Sequence, residues 1–153
     1  MTIQSDVLAR IALRPLEHGD AGIIVDTFSM TLFHEAHVVG IGGTEQRFAN
    51  VDHLCATMCR PANGIIACLA KSPAVLVGWA VRDGDALLFA YVKHAFRRWG
   101  IGATLVARLM PDVAPVPLVY WTRAARKIHK RHFPITWDWQ AFNQIQERKV
   151  VAA

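Results

Sequence analysis

The residues with the most chemical content sit together in one run, Arg97-Arg98-Trp99-Gly100-Ile101-Gly102-Ala103. Gly100 and Gly102 carry no Cβ, so a bulky anion can come close to the main chain there. Ile101, Leu105 and Leu109 then recur at four-residue steps until Pro111, which predicts a helix opening directly from the loop. The first amides of a helix lack intrahelical acceptors, and the helix dipole places partial positive charge at that end. Two guanidinium groups beside such a terminus suit phosphate oxygens. The unit therefore predicts a site for a phosphate or pyrophosphate group. Its spacing is not the Gly-x-x-x-x-Gly-Lys-Ser/Thr of a Walker A loop, nor the Gly-x-Gly-x-x-Gly that follows a parallel strand in dinucleotide-binding folds.

Such a loop needs rigid elements on both sides. Ala86 to Val92 reads as the strand that feeds it. Ile65 to Ala70 and Val75 to Val81 read as two earlier strands, with Lys71-Ser72-Pro73 as the first turn and the Asp83-Gly84 hairpin signal as the second. These three apolar runs predict an antiparallel meander covered by helices on both faces. Upstream, Ile11 to Arg14 predicts a short first strand closed by Pro15. Asp20 is placed to cap a helix with Ile24 and Phe28 on one face. A second helix is predicted from Thr44, with Phe48, Val51, Cys55 and Met58 along its apolar side, ending at Arg60-Pro61 and Asn63-Gly64. Met30 to Gly43 reads as a helix end followed by a mobile loop. Downstream, Val116 to Trp121 predicts a strand, Thr122 to about His132 a short basic helix, and Ile135 to Trp139 a last strand.

The 153 residues are expected to form one domain over 1–153, with a frayed tail after about residue 142. At 53% hydrophobic and 19% charged residues, the chain can bury a core without disulfides and is not of disordered composition. The formal net charge of +5 suits an anionic partner without choosing among a nucleotide, a nucleic acid and an acidic surface. Cys55, Cys59 and Cys68 are too few and too odd in number for a disulfide framework, which points to a reducing, cytoplasmic setting. No run is apolar and long enough to span a membrane, and the first residues have no signal-peptide pattern.

The loop and its surroundings resemble the GNAT acyltransferase family. Arg97-Arg98-Trp99-Gly100-Ile101-Gly102 matches the family's Arg/Gln-x-x-Gly-x-Gly/Ala signature, and Ala90-Tyr91-Val92-Lys93-His94-Ala95-Phe96-Arg97 is similar to the strand end before it. Val77-Gly78-Trp79-Ala80-Val81 with Asp83-Gly84, and Ile11-Ala12-Leu13-Arg14-Pro15 followed by Asp20, resemble earlier parts of the family pattern, so the likeness covers most of residues 10 to 133. The run from Tyr91 to Ile101 is also similar to small GNAT proteins of phage genomes. The resemblance implies an α/β (α+β) fold with a central mixed, mostly antiparallel sheet of about six to seven strands and about four flanking helices. It implies acyl-CoA, usually acetyl-CoA, with the pyrophosphate held by the amides of Arg98 to Ala103. It further implies pantetheine pairing with the backbone at Tyr91 and Val92, where the strand splays from that near Tyr120. A backbone N–H there would polarise the thioester carbonyl. Dimers are frequent in the family.

The chain departs from the family where acid and base are concerned. Many members carry a Tyr that protonates the leaving thiolate, but Arg126-Lys127-Ile128-His129-Lys130-Arg131-His132-Phe133 contains none, and Ile128 or His129 takes its place. An imidazole can serve as an acid near neutral pH, although His129 also fits a solvated basic helix. The strand Ala86 to Val92 has no carboxylate, which leaves Glu35, His37 and His34 as candidates for a base. Their spacing is not that of a zinc site, and no metal is expected. Arg123, Arg126, Lys127, Lys130 and Arg131 share one helix face, suited to the 3′-phosphate of CoA, to an acidic acceptor including nucleic acid, or to solvent. The expected function is acyl transfer from acyl-CoA to an unidentified amine by direct attack in a ternary complex. The alternatives are a GNAT fold that binds acyl-CoA without catalysis, and a nucleic-acid-binding protein.

Overall fold

The computed structural model describes residues 3–34, 56, 59–113, 116–118, 127 and 135–137. Among the described residues six strands form one sheet in the order β1-β2-β3-β4-β5-β6: β1 Ile11–Pro15, β2 Gly64–Leu69, β3 Ser72–Asp83, β4 Ala86–Val92, β5 Val116–Leu118 and β6 Ile135–Trp137. The first four pair antiparallel as a meander, and β5 and β6 join in parallel. This is the mixed, mostly antiparallel sheet expected.

Alternation along the strands, interrupted by a bulge at Leu88 where Val81 stands opposite Phe89 and Arg82 opposite Leu87, makes two apolar layers. On one face Ile66, Trp79, Val81, Leu88 and Phe89 meet Ile24 and Phe28 of helix α2, Ala21–His34. On the other, Ala67, Val77, Ala80 and Leu87 meet Ile101, Leu105, Val106 and Leu109 of helix α3, Ile101–Leu109. Burying one such side chain contributes about 1.5–3 kcal/mol. Four of the nine α3 residues are buried, which roots a short helix firmly on the sheet.

Several local readings shift. The turn between β2 and β3 is Ala70-Lys71, with Leu69 opposite Ser72, so Pro73 lies inside β3. Register shifts around Cys68 bulge the exposed start of β3 and accommodate a residue without an N–H. Pro15 likewise continues β1 opposite Ile65, since an edge strand tolerates proline. A first helix not foreseen, α1 Ile3–Leu8, packs Leu8 beneath the α3 layer.

Asp20 does not serve the following helix. Its carboxylate accepts from Arg14 Nη1 at 2.7 Å, Arg14 Nη2 at 2.9 Å and the Glu17 amide at 2.8 Å, fastening β1 to the 3-10 turn His18–Asp20. The Arg14 hydrogen bonds hold the Asp20 carboxyl below its ordinary pKa, outweighing burial, and the Glu17 amide adds in the same direction. Arg14 and Asp20 of the opening segment thus form one part-buried, bidentate clasp.

Of the predicted helix from Thr44, Ala56 is helical and exposed; Cys59 is half-buried in a turn, Cys68 is buried in β2, and Cys55 lies outside the described residues. Residues 119–121, 138–139 and the tail after 142 lie outside them as well.

Candidate functional site

The site is assembled where β4 ends and α3 begins. β4 runs to Val92, a 3-10 turn covers His94–Phe96, and the chain reaches α3 through Arg97, Arg98, Trp99 and Gly100. Gly100 is the residue before the helix and is left-handed, at φ 79°. Arg98 is also left-handed, at φ 68°, a conformation that a residue with a Cβ adopts only under constraint. Two left-handed residues in a short loop turn the chain sharply onto the helix axis.

The first α3 hydrogen bond runs from the Thr104 amide to the Gly100 carbonyl at 3.0 Å, and Thr104 Oγ1 donates to the same oxygen at 2.9 Å. The amides of Ile101, Gly102 and Ala103 precede this bond and have no acceptor within the helix. A Cβ on Gly102 would meet only Val92 Cγ2, at 3.5 Å, an ordinary contact. The protein around it therefore does not require glycine there. Ile101 is buried among the α3 core residues, Trp99 packs at the edge of that layer, and Ala103 is exposed.

The register fixes what the end of β4 offers. The Lys93 amide donates to the Val77 carbonyl at 2.9 Å, and Val92 stands opposite Gly78. In an antiparallel ladder bonded and non-bonded pairs alternate. Tyr91 therefore exchanges its backbone bonds with Trp79, while Ala90 and Val92 direct theirs away from β3, toward the side of β5. The described pairing of β4 with β5 is at Leu87 and Leu118, near the start of β4.

Gly78 sets the depth of this corner. A Cβ there would lie 2.8 Å from the Tyr91 carbonyl oxygen and 3.3 Å from Leu105 Cδ1 of α3. Its absence lets β3, β4 and α3 close up directly behind Val92. On the opposite layer the Tyr91 ring stacks on Trp79, with centroids 5.1 Å apart, and Trp79 Nε1 donates to Thr27 Oγ1 of α2 at 3.1 Å. Thr27 Oγ1 in turn donates to the Ile23 carbonyl at 2.7 Å, so the indole N–H is satisfied within a fully buried ring system. At the far end of α3, Arg82 Nη1 donates to the Leu109 carbonyl at 3.0 Å, a cation placed against the negative end of the helix.

Arg97 and Arg98 are both exposed, but they differ in engagement. Arg97 Nε donates to the Val92 carbonyl at 2.8 Å, and its guanidinium carbon lies 5.6 Å from the Tyr91 ring centroid. Tyr91, Val92 and Arg97 to Ala103 are thus gathered at one corner. The three candidates for acid and base, His129, His37 and Glu35, lie outside the described residues, and His34 is the last residue of α2. In the basic segment, Lys127 is helical and exposed. Among the described residues no group of three His, Cys, Asp or Glu side chains could hold a metal ion, and no helix is long and apolar enough to cross a membrane.

No protein-family model matches the chain, and no curated protein matches it in sequence. Among solved structures it is similar to apo YjaB of Escherichia coli, with a TM-score of 0.51 and 16% identity over 78% of this chain and 79% of that one. The chain has a GNAT-like fold. It is also similar to yncA of Salmonella typhimurium, solved with its cofactor acetyl-CoA, at a TM-score of 0.40 and 20% identity over 65% of this chain and 61% of that one. A further likeness is to the aminoglycoside acetyltransferase meta-AAC0020 from an uncultured soil metagenomic sample, in complex with trehalose, at a TM-score of 0.39 and 12% identity over 93% and 87%.

Sequence reasoning named the GNAT-like loop by its glycines and arginines but not the Arg97–Val92 bond, the Gly78 contact or the Thr27–Trp79 bond. Each joins residues distant in sequence or turns on side-chain direction, and periodicity carries no signal for either.

Proposed function

We propose that the chain is an acyl-CoA-dependent N-acyltransferase, with acetyl-CoA as donor and an amine as acceptor. The observation that carries this reading is the join of β4 to α3, where a left-handed Gly100 opens a helix whose first amides have no intrahelical acceptor. The backbone from Arg98 to Ala103 fits a pyrophosphate, and Gly102 leaves room for one. The Val92 N–H, directed away from β3, fits a thioester carbonyl and favours the negative charge that develops on its oxygen. The donor supplies an activated acyl carbon. The acceptor nitrogen bonds to that carbon, the C–S bond breaks, and the thiolate leaves with a proton.

His129 is proposed as the source of that proton, and Glu35 or His37 as the base that takes one from the amine, directly or through water. His129→Ala is then expected to lower turnover with CoA affinity unchanged; an unchanged rate removes it from the role. Alignment of the two reactants supplies the remaining acceleration. The same reading includes kinship to small phage GNAT proteins, a cytoplasmic setting and a homodimer.

The test is thermal unfolding with and without acetyl-CoA, followed by thiol release with a panel of amines. A ligand at a hundred times its Kd adds about 2.7 kcal/mol to a native state that alone binds it. A melting temperature that does not move at millimolar acetyl-CoA overturns the reading. A second reading, acyl-CoA binding without catalysis, is favoured by β4, which carries no carboxylate from Ala86 to Val92. It is distinguished by a thermal shift unaccompanied by thiol release with any amine.

A further inference from the structure

We infer that Arg97 is a positioning residue for the Val92 N–H and not a ligand of the donor's phosphates; this rests on the acyl-CoA reading above. Sequence alone makes Arg97 and Arg98 equivalent cations beside a phosphate loop. The structure separates them. Arg97 Nε donates to the Val92 carbonyl at 2.8 Å, while the Lys93 amide donates to the Val77 carbonyl at 2.9 Å. That carbonyl and that amide belong to the same peptide unit, which is therefore held at both ends, by the loop on one side and by β3 on the other. A peptide unit is planar, so fixing both ends fixes its orientation. With the Tyr91 backbone engaged by Trp79 on the preceding side, the Val92 N–H keeps one direction.

The guanidinium has a second anchor. Its carbon lies over the Tyr91 ring, 5.6 Å from the centroid, and that ring also contacts Trp79 at 5.1 Å and Phe89 at 6.2 Å. A cation over an aromatic face is held by the ring quadrupole. Arg97 thus closes a stack that runs through Tyr91 and Trp79 to Thr27 of α2, and its Nε is aimed by that stack at the Val92 carbonyl. Arg98, exposed and left-handed at φ 68°, is the loop's cation for the phosphates.

Chemistry provides a sharp separation of the two roles. A glutamine side chain places its amide nitrogen the same number of bonds from Cα as the arginine Nε, so it can still donate to Val92 but carries no charge. A lysine keeps the charge but places its ammonium one bond further out, without the planar group. The measurement is isotope-edited infrared spectroscopy of carbonyl-labelled acetyl-CoA bound to the full chain, together with its Kd.

In the unaltered protein the thioester carbonyl is expected to shift to lower frequency on binding. Arg97→Ala and Arg97→Lys are expected to return it toward the free position with at most a two- to threefold change in Kd, while Arg97→Gln keeps the shift. Arg98→Ala is expected to keep the shift and weaken binding roughly tenfold, an effect that diminishes as salt rises. The inference is overturned if the Arg97→Ala shift equals that of the unaltered protein, if Arg97→Lys preserves the shift and Arg97→Gln abolishes it, or if bound acetyl-CoA shows no shift at all. If the unaltered protein does not bind acetyl-CoA, it is the acyl-CoA reading that fails, and this inference with it. Arg97→Gln also guards against an alanine variant that does not fold.

Discussion

Arg98 shows how one residue can be costly to the fold. A left-handed conformation costs a residue with a Cβ about 1–2 kcal/mol, and Arg98 adopts it at φ 68° without burial. Arg98→Gly relieves that strain and gives back part of the gain through a more flexible unfolded chain. Its stability in urea is expected to equal or exceed the starting protein by up to about 1 kcal/mol, whereas Arg98→Ala gains nothing. A marked loss for Arg98→Gly would mean that the side chain supports the fold. Thr27 has the opposite character, since its hydroxyl serves the interior, accepting from the Trp79 indole. Thr27→Val keeps the volume but leaves the Trp79 N–H without its acceptor in a fully buried setting. A loss of about 1–3 kcal/mol in urea unfolding is expected; a change near zero would show that the indole finds another acceptor.

Among the elements, the hairpin of β3 and β4 and the start of α3 act as one unit. Gly78→Ala sets a methyl group 2.8 Å from the Tyr91 carbonyl oxygen, a main-chain atom that cannot turn aside. Overpacking of this kind costs about 1–3 kcal/mol. Because the displaced atom belongs to the residue before Val92, acetyl-CoA affinity is expected to fall along with the melting temperature. An alanine variant with lower stability but unchanged affinity would separate the two.

The main elements of this unit were legible in the sequence. The bounds of β4, the Gly84 turn at φ 56° and the buried stripe Ile101, Leu105 and Leu109 all follow from alternation, a turn dipeptide and a four-residue period. Helix α1 was not legible, since six residues without a cap or a full apolar repeat resemble any irregular start. The turn after β2 moved because proline in an exposed, bulged strand costs little, and a proline read as turn punctuation misplaces it. Asp20 was read as a helix cap because local spacing cannot reveal that Arg14, across a strand end, claims both carboxylate oxygens.

Over the described residues the molecule is a sheet with a core on each face, and the clasp at its edge contributes to acid stability. Asp20 has a lowered pKa in the folded chain, and an ordinary value in the unfolded one is about 3.9. Its contribution is therefore complete above that value and is lost as the pH falls through the lower, folded value. Asp20→Asn is expected to flatten the acid limb of the stability curve, with most of the difference gained above the ordinary carboxylate range. Parallel curves for the two proteins down to strong acid would show that the clasp contributes nothing.

The two faces of β4 have a consequence for how such a chain can change in length. β4 carries one extra residue at Leu88, and beyond it Phe89 and Tyr91 belong to one layer and Val92 to the other, so the residues of the corner are counted from Phe89. Beyond that bulge, losing or gaining one residue between Phe89 and Val92 would exchange the layers for every later position and turn the Val92 N–H toward β3. At the tip, around Gly84 and Asp85, added residues meet solvent and no layer. Insertions and deletions in this hairpin should therefore be tolerated at its tip and forbidden between Phe89 and Val92, which deep mutational scanning with single-codon insertions would read out directly.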